Sequence, residues 1–278
     1  MIIAKTIKAL QIVLDEYKQA GYTTGFCPTM GALHRGHISL IEMSRAENDK
    51  TVCSIFVNPT QFNNPDDLAK YPVTIEEDVK MLEAAGCDVL FLPTTQEMYP
   101  QGEKTLHYQL GELETLLEGF YRPGHFQGVA TIVDKLLALV KPTRLYLGQK
   151  DFQQVMVVRK MMELRGHKTE LKTVPTMREG DGLAMSSRNR LLDPEQRKAS
   201  VIIYETLKTL KGNLAKTDVR SLEETAKQTL EKNGLRVDYV SVADAATLKP
   251  VTNFEKPAVA LVAAYMGEVR LIDNILLN

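Results

Sequence analysis

The 278-residue chain has no excess of either charge: thirty-four lysines and arginines meet thirty-five aspartates and glutamates, for a formal net charge of -1. No global field therefore draws it to nucleic acid or to an acidic membrane, and any anion site has to be built locally. Cysteine is scarce. Cys27, Cys53 and Cys87 are widely spaced with no Cys-x-x-Cys pair, which argues for buried reduced thiols over a metal site. No apolar run nears the length of a membrane span, the amphipathic opening stretch 1–21 lacks a secretory pattern, and there is no internal repeat or low-complexity tract. These absences predict a cytoplasmic protein without nucleic-acid or membrane partners. What is present, 44% hydrophobic residues over this length, can bury a substantial core in one large or two unequal domains.

The first two-thirds alternates strand-like and helix-like segments. A helix over 5–20 precedes a strand at 22–27, a helix at 36–47 and a strand at 51–57, whose Val-Cys-Ser-Ile-Phe-Val is nearly continuous in apolar character. A helix at 75–85, a strand at 88–92, a helix at 126–140, a strand at 144–147 and a helix at 152–165 continue the pattern. Such runs suit parallel strands covered on both faces, so the fold class predicted is α/β, a Rossmann-like doubly wound parallel sheet. From about Met177 the rhythm changes to a loop, helices at 194–213 and 219–232, and strands at 235–242, 258–264 and 269–272. This predicts a nucleotide- and substrate-binding domain over 1–176 and a smaller C-terminal α+β lid domain over 177–278.

The chemistry concentrates where strands end. His34-Arg35-Gly36-His37 follows the strand at 22–27 and enters a helix. A helix start offers unpaired N–H groups and a positive dipole end to phosphate, and imidazoles three residues apart add donors on one face. Gly148-Gln149-Lys150-Asp151 sets a flexible cation at a second strand end, although a turn with a solvated lysine has the same pattern. Gln153 and Gln154 follow in the first turn of the next helix, where amides suit a hydroxy acid. Asn58 and Gln61 close a third strand end, in a turn that Pro59 alone would also produce. Met185-Ser186-Ser187-Arg188 lies in a glycine- and arginine-rich loop able to close over phosphates, or simply to link domains. Arg122 and His125, in a Gly/Pro/aromatic segment, suit either a phosphate or a subunit contact.

Taken in order, the segments 28–37, 56–62, Tyr71-Pro72, 122–129, 148–154 and 178–189 resemble the pantoate–β-alanine ligase family of HxGH-type nucleotidyltransferases over nearly the whole chain. The resemblance implies ATP-dependent condensation of (R)-pantoate with β-alanine to pantothenate, AMP and pyrophosphate through a pantoyl adenylate. It implies that Met30, Gly31, Ala32, Leu33, His34, Arg35, Gly36 and His37 line the nucleotide, with His34 and His37 on the phosphates and His37 as proton donor. Gly148, Gln149, Lys150, Asp151, Met177 and Met185 would complete that site, Asp151 meeting the ribose, while Lys150, Ser186, Ser187 and Arg188 contact phosphates. Gln61 and Gln154 would be the pantoate amides, Gln61 also meeting β-alanine, with Asn58 and Tyr71 nearby. Mg²⁺ is implied as a companion of ATP, with no all-protein metal site, and a homodimer through the larger domain is implied. Val73 stands where many relatives carry arginine. Two other readings share the histidine motif: a nucleotidyltransferase that stops after nucleotide transfer, and a nucleotide sensor that closes without turnover.

Overall fold

Six short segments form the heart of the computed structural model, which describes residues 1–102 and 106–278. They are β1 (Ile2–Ala4), β2 (Thr24–Thr29), β3 (Lys50–Ile55), β4 (Val89–Phe91), β5 (Arg144–Gly148) and β6 (Glu170–Val174), all parallel, in the order β1-β4-β3-β2-β5-β6. Side chains alternate between two cores. Phe26, Val52, Val89 and Leu145 pack with the helices Ile7–Gln19, His125–Val140 and Phe152–Arg165 on one face. Cys27, Cys53, Leu90 and Tyr146 pack with the helices Arg35–Glu47 and Ile75–Ala84 on the other. Burial on both faces explains the unbroken apolar character of the central strands. All three cysteines are buried thiols, as their apolar surroundings predicted.

The chain turns from one half of this sheet to the other between β2 and β5, and ligands of open α/β sheets bind outside the strand ends at such a reversal. β2 stays paired with β3 as far as Thr29 and Ile55, but with β5 only at Gly25 and Phe26. The carbonyl of Thr24 accepts from Thr143 beside β5, whereas that of Thr29 accepts from Phe56 beside β3. Backbone groups alternate sides, so Pro28 faces β5, and a residue without an N–H cannot extend that ladder. The crevice opens there.

A second sheet, β7 (Leu235–Asp244), β8 (Ala258–Met266) and β9 (Val269–Leu276), is antiparallel in that order. One face carries the helices Ile202–Gly212 and Val219–Lys232 over a core that includes Leu207, Leu230 and Val262. Ala243, Val259 and Leu261 of the other face meet Leu113, Leu117, Phe152 and Met156, so this small domain sits against the parallel-sheet unit. Among the described residues no helix is long and apolar enough to cross a membrane.

The α/β class and the small α+β unit match expectation, and the differences are local. β1 and β6 were not read from the sequence; they are three and five residues long, lie at the sheet's two edges and are largely exposed or polar. β2 lies two residues later than the strand predicted at 22–27. The single helix predicted over 194–213 divides into Pro194–Ala199 and Ile202–Gly212. At the break the buried Ser200 donates from Oγ to the Gln196 carbonyl at 2.7 Å, a back-bond that bends helices.

One contact locks the β3 loop to the long helix. A Cβ on Gly128 would lie 2.2 Å from the Thr60 carbonyl oxygen and 2.7 Å from Gln61 Cα. Exchanging glycine for alanine in a helix normally gains about 1 kcal/mol. Here the obstacle is backbone, which cannot swing aside, so Gly128→Ala is expected to destabilise by about 1–3 kcal/mol in urea titration. A midpoint at or above that of the parent chain would show that the turn yields freely.

Candidate active site

The loop after β2 builds a helix start from two imidazoles. His34 occupies the N-cap of Arg35–Glu47 with extended backbone, and its Nδ1 accepts the Gly36 N–H at 3.1 Å. His37 Nδ1 in turn accepts the His34 N–H at 3.3 Å, closing a reciprocal capping box. A ring nitrogen that accepts has no proton, so each neutral ring carries its proton on Nε2, the nitrogen not used for capping. The rings lie 4.1 Å apart between centroids. A Cβ on Gly36 would stand 2.9 Å from the His34 ring, which explains glycine between the histidines. Burial, then His37 and the Lys150 ammonium, push the pKa of His34 down to about 2. Burial, then Lys150, pushes that of His37 down to about 4. Both rings are therefore neutral N–H donors near pH 7.

The loops after β3 and β5 meet this helix start. Met30, His34, Gly36, His37, Asn58, Gln61, Tyr71, Gly148, Lys150, Asp151 and Gln154 all line one cleft, joined by Met177, Met185, Ser186, Ser187 and Arg188. Gln61 presents its amide beside Met30, whose sulfur accepts from Nε2 at 3.0 Å. The Gln154 amide has no protein partner among the described residues, leaving donor and acceptor open to the cleft. Asn58 is almost wholly buried. Its Nδ2 serves Gln61 Oε1 and the Gly128 carbonyl, and its Oδ1 accepts from Thr60 and Tyr99, so it supports Gln61 from behind.

The third wall is the segment 177–190. Ser186 caps a short helical turn, Ser187 Oγ donates to the Ala32 carbonyl at 2.9 Å, and Arg190 reaches the Leu33 carbonyl at 3.4 Å. Arg188 lies over the Tyr71 ring and pairs with Asp67 at 2.9 Å, with donors left for the cleft.

Several expected contacts are placed elsewhere. Ala32 and Leu33 are fully buried, and with Gly31 they lie behind the cleft rather than along it. Arg35 projects outward to Glu42, and the Gln149 amide turns to Asn274. Gln153, expected beside Gln154, is a correction: its amide is consumed by the Glu118 N–H and the carbonyls of Leu113 and Leu116.

Sequence reasoning missed the groups that hold these loops. Asp78, fully buried, accepts from the N–H groups of Ala32 and Leu33 at 2.9 and 2.8 Å and from Thr74 Oγ1. It steadies Ala32 in the left-handed region at φ 49. Asn274 of β9 donates to the carbonyls of Gln149 and Lys150, fixing the lysine turn from the second sheet. Its neighbour Asp273 pairs with Arg178 at 2.6 Å. Polar residues inside regular elements carry no local signal of such tertiary roles.

The family model described as pantoate-beta-alanine ligase matches residues 2–276. The chain is 45% identical to the pantothenate synthetase of Acetivibrio thermocellus over the full length of both. It is 43% identical to that of Bacteroides thetaiotaomicron, across 99% of this chain and 98% of the relative. Its fold is similar to the crystal structure of pantothenate synthetase from Thermus thermophilus, with TM-score 0.94 and 41% identity over 100% of this chain and 99% of that one. The pantoate-beta-alanine ligase of Francisella tularensis, in a structure complexed with beta-gamma ATP and beta-alanine, superposes with TM-score 0.84 and 39% identity over 99% and 97% of the two chains.

Two expectations follow from the loop chemistry. Asp78→Ala strands two buried N–H donors, each costing about 1–3 kcal/mol, so a loss of about 3 kcal/mol is expected in urea titration; an unchanged midpoint would mean the loop holds without it. The histidines also set a pH dependence. His37 stays neutral in the folded protein down to about pH 4, whereas an unfolded histidine protonates near 6.5. Protons thus bind the unfolded chain first, and this contribution to stability is full above about pH 6.5 and is lost as pH falls towards 4. His37→Gln should flatten part of the decline in urea midpoint between pH 7 and 5, and an identical slope would clear His37 as a source.

Proposed function

The chain belongs to the pantoate–β-alanine ligase family, and we propose that its cleft joins (R)-pantoate to β-alanine while ATP leaves as AMP and pyrophosphate. The observation that carries this reading is convergence: neutral imidazole donors, an ammonium, a guanidinium and two serine hydroxyls line one cleft with the amides of Gln61 and Gln154. A carboxylate is a poor acyl donor until its oxygen is joined to a good leaving group. A pantoate carboxylate oxygen attacks the α-phosphorus, the bond to the bridging oxygen breaks, and pyrophosphate departs, leaving pantoyl adenylate. The uncharged amine of β-alanine then attacks the acyl carbon, loses a proton and expels AMP. No side-chain nucleophile is required, and the protein aligns the reactants and stabilises spreading charge.

His34 and His37 direct their Nε2–H groups at phosphate oxygens as neutral donors, and Lys150 and Arg188 supply the positive charge. Burial, then Lys150, lowers the pKa of His37 to about 4, so the ring meets the phosphates as a neutral donor. Ser186 and Ser187 close the phosphate side, Gln61 and Gln154 read the hydroxyl and carboxylate of pantoate, and Asp151 meets the ribose. Asp151 is the one carboxylate among the residues lining this cleft, a donor set that offers no cage and fits Mg²⁺ held by phosphate oxygens and water. The ion neutralises triphosphate charge when bound. Pairing of two copies through the larger domain belongs to the same reading. Use of ATP fits a cytoplasmic setting.

Exchange of labelled pyrophosphate into ATP tests the adenylate. It should require pantoate, proceed without β-alanine, and give way to AMP formation when β-alanine is added. Nucleotide binding without exchange would favour a sensor, and transfer without AMP release would favour a different nucleotidyltransferase. Gln61→Ala should raise the pantoate KM by at least about tenfold while changing that of ATP little, since it leaves substrate polar groups unpaired. Equal losses for both substrates would reject the assignment.

A further inference from the structure

A buried line of polar groups runs from the second sheet to Gln61. The Gln61 backbone carbonyl faces His125 Nδ1 at 2.7 Å, and a carbonyl can only accept, so Nδ1 carries the proton. His125 Nε2 is then a lone pair, and it faces Arg122 Nη1, which can only donate, at 3.1 Å. Burial, then Arg122, lowers the pKa of His125 to about 3, in keeping with a neutral ring of fixed tautomer. Arg122 stands 3.8 Å from Glu118, longer than a hydrogen bond. The reason is that Arg270 of β9 takes both Glu118 oxygens, at 2.7 and 2.8 Å, and the Tyr239 hydroxyl takes one of them at 2.9 Å. Asp238 holds Arg270 Nε at 2.8 Å.

We infer that Arg270 is a positioning residue for pantoate recognition, acting through Glu118, Arg122 and His125 on the turn that carries Gln61. By engaging both oxygens of Glu118, Arg270 leaves the Arg122 guanidinium to hold the imidazole. Without it, a buried carboxylate with one cation nearby draws that cation in. Arg122 then leaves His125 Nε2, and the ring loses the partner that fixes its tautomer against the Gln61 carbonyl. The Gln61 amide is held at Oε1 by Asn58 Nδ2 at 3.2 Å, but its Nε2 rests on a thioether, a weak acceptor, so a shift of the turn re-aims the donor end. Docking of the small domain is thereby registered at the substrate amide.

This rests on the reading of Gln61 as a pantoate ligand, and a double-mutant cycle separates the two ideas. Arg270→Met and Arg270→Lys are each made alone and with Gln61→Ala, and the KM values for pantoate and ATP are read from pyrophosphate exchange, with calorimetric pantoate binding where turnover is lost. Arg270→Met is expected to raise the pantoate KM by roughly tenfold, to leave that of ATP within about twofold, and to add nothing once Gln61 is alanine. Arg270→Lys keeps a cation but not the fork that serves two carboxylates, and should fall between; it supplies the same cycle if the methionine variant does not fold. A parallel rise for ATP and pantoate, or the same multiplication of KM in both backgrounds, overturns the relay and leaves Gln61 as a pantoate ligand. An unchanged pantoate KM in Gln61→Ala alone overturns both.

Discussion

Between Phe26 and Thr29, β2 keeps its ladder to β3 and loses the one to β5, because Pro28 brings no N–H to the β5 side. Every feature of the cleft is arranged around that parting. The loop leaving β2 starts a helix there, the turn leaving β5 supplies Lys150 from the other side, and the turn leaving β3 supplies Gln61 at the flank. Without the divergence a side-by-side ladder would fill the space that the cleft occupies.

The same economy governs the histidines. A helix start needs its first N–H groups capped, and serine or aspartate is the usual solution. Here the imidazoles meet that need with Nδ1, which commits each neutral ring to an Nε2–H. Capping thus also fixes the nitrogen that each ring keeps for donation, and the neutrality imposed by burial and by Lys150 suits that arrangement. Positive charge in the cleft is carried instead by Lys150 and Arg188, on long stems.

The parts of this site that were legible in the sequence are those encoded over a few consecutive residues. The histidine spacing, the strand-end lysine and the Ser-Ser-Arg loop each carry a local signature, and the alternation of apolar runs with amphipathic helices carries the α/β class. Phase within a helix was not legible. Gln153 and Gln154 are neighbours, yet a step of about 100° sends one to three backbone groups and the other to the cleft. Asp78, Asn274 and Arg270 were not legible for a different reason: each lies inside a regular element with nothing local to distinguish it, and its partner lies in another part of the chain. Of the edge strands, β1 is too short to announce itself at three residues, and β6 alternates too weakly with its polar Glu170, Lys172 and Thr173.

These distant residues share a direction of influence. Asn274 grips the backbone of the lysine turn from β9, and Arg270, four residues earlier on the same strand, grips Glu118 and through it the neighbourhood of Gln61. One edge of the small sheet therefore reaches both the turn that carries Lys150 and, at Glu118, the segment that carries Arg122 and His125. Beside the apolar contact of Ala243, Val259 and Leu261 with Leu113, Leu117, Phe152 and Met156, the forked pair of Arg270 with Glu118 adds a directional contact that is satisfied in only one register of the two units.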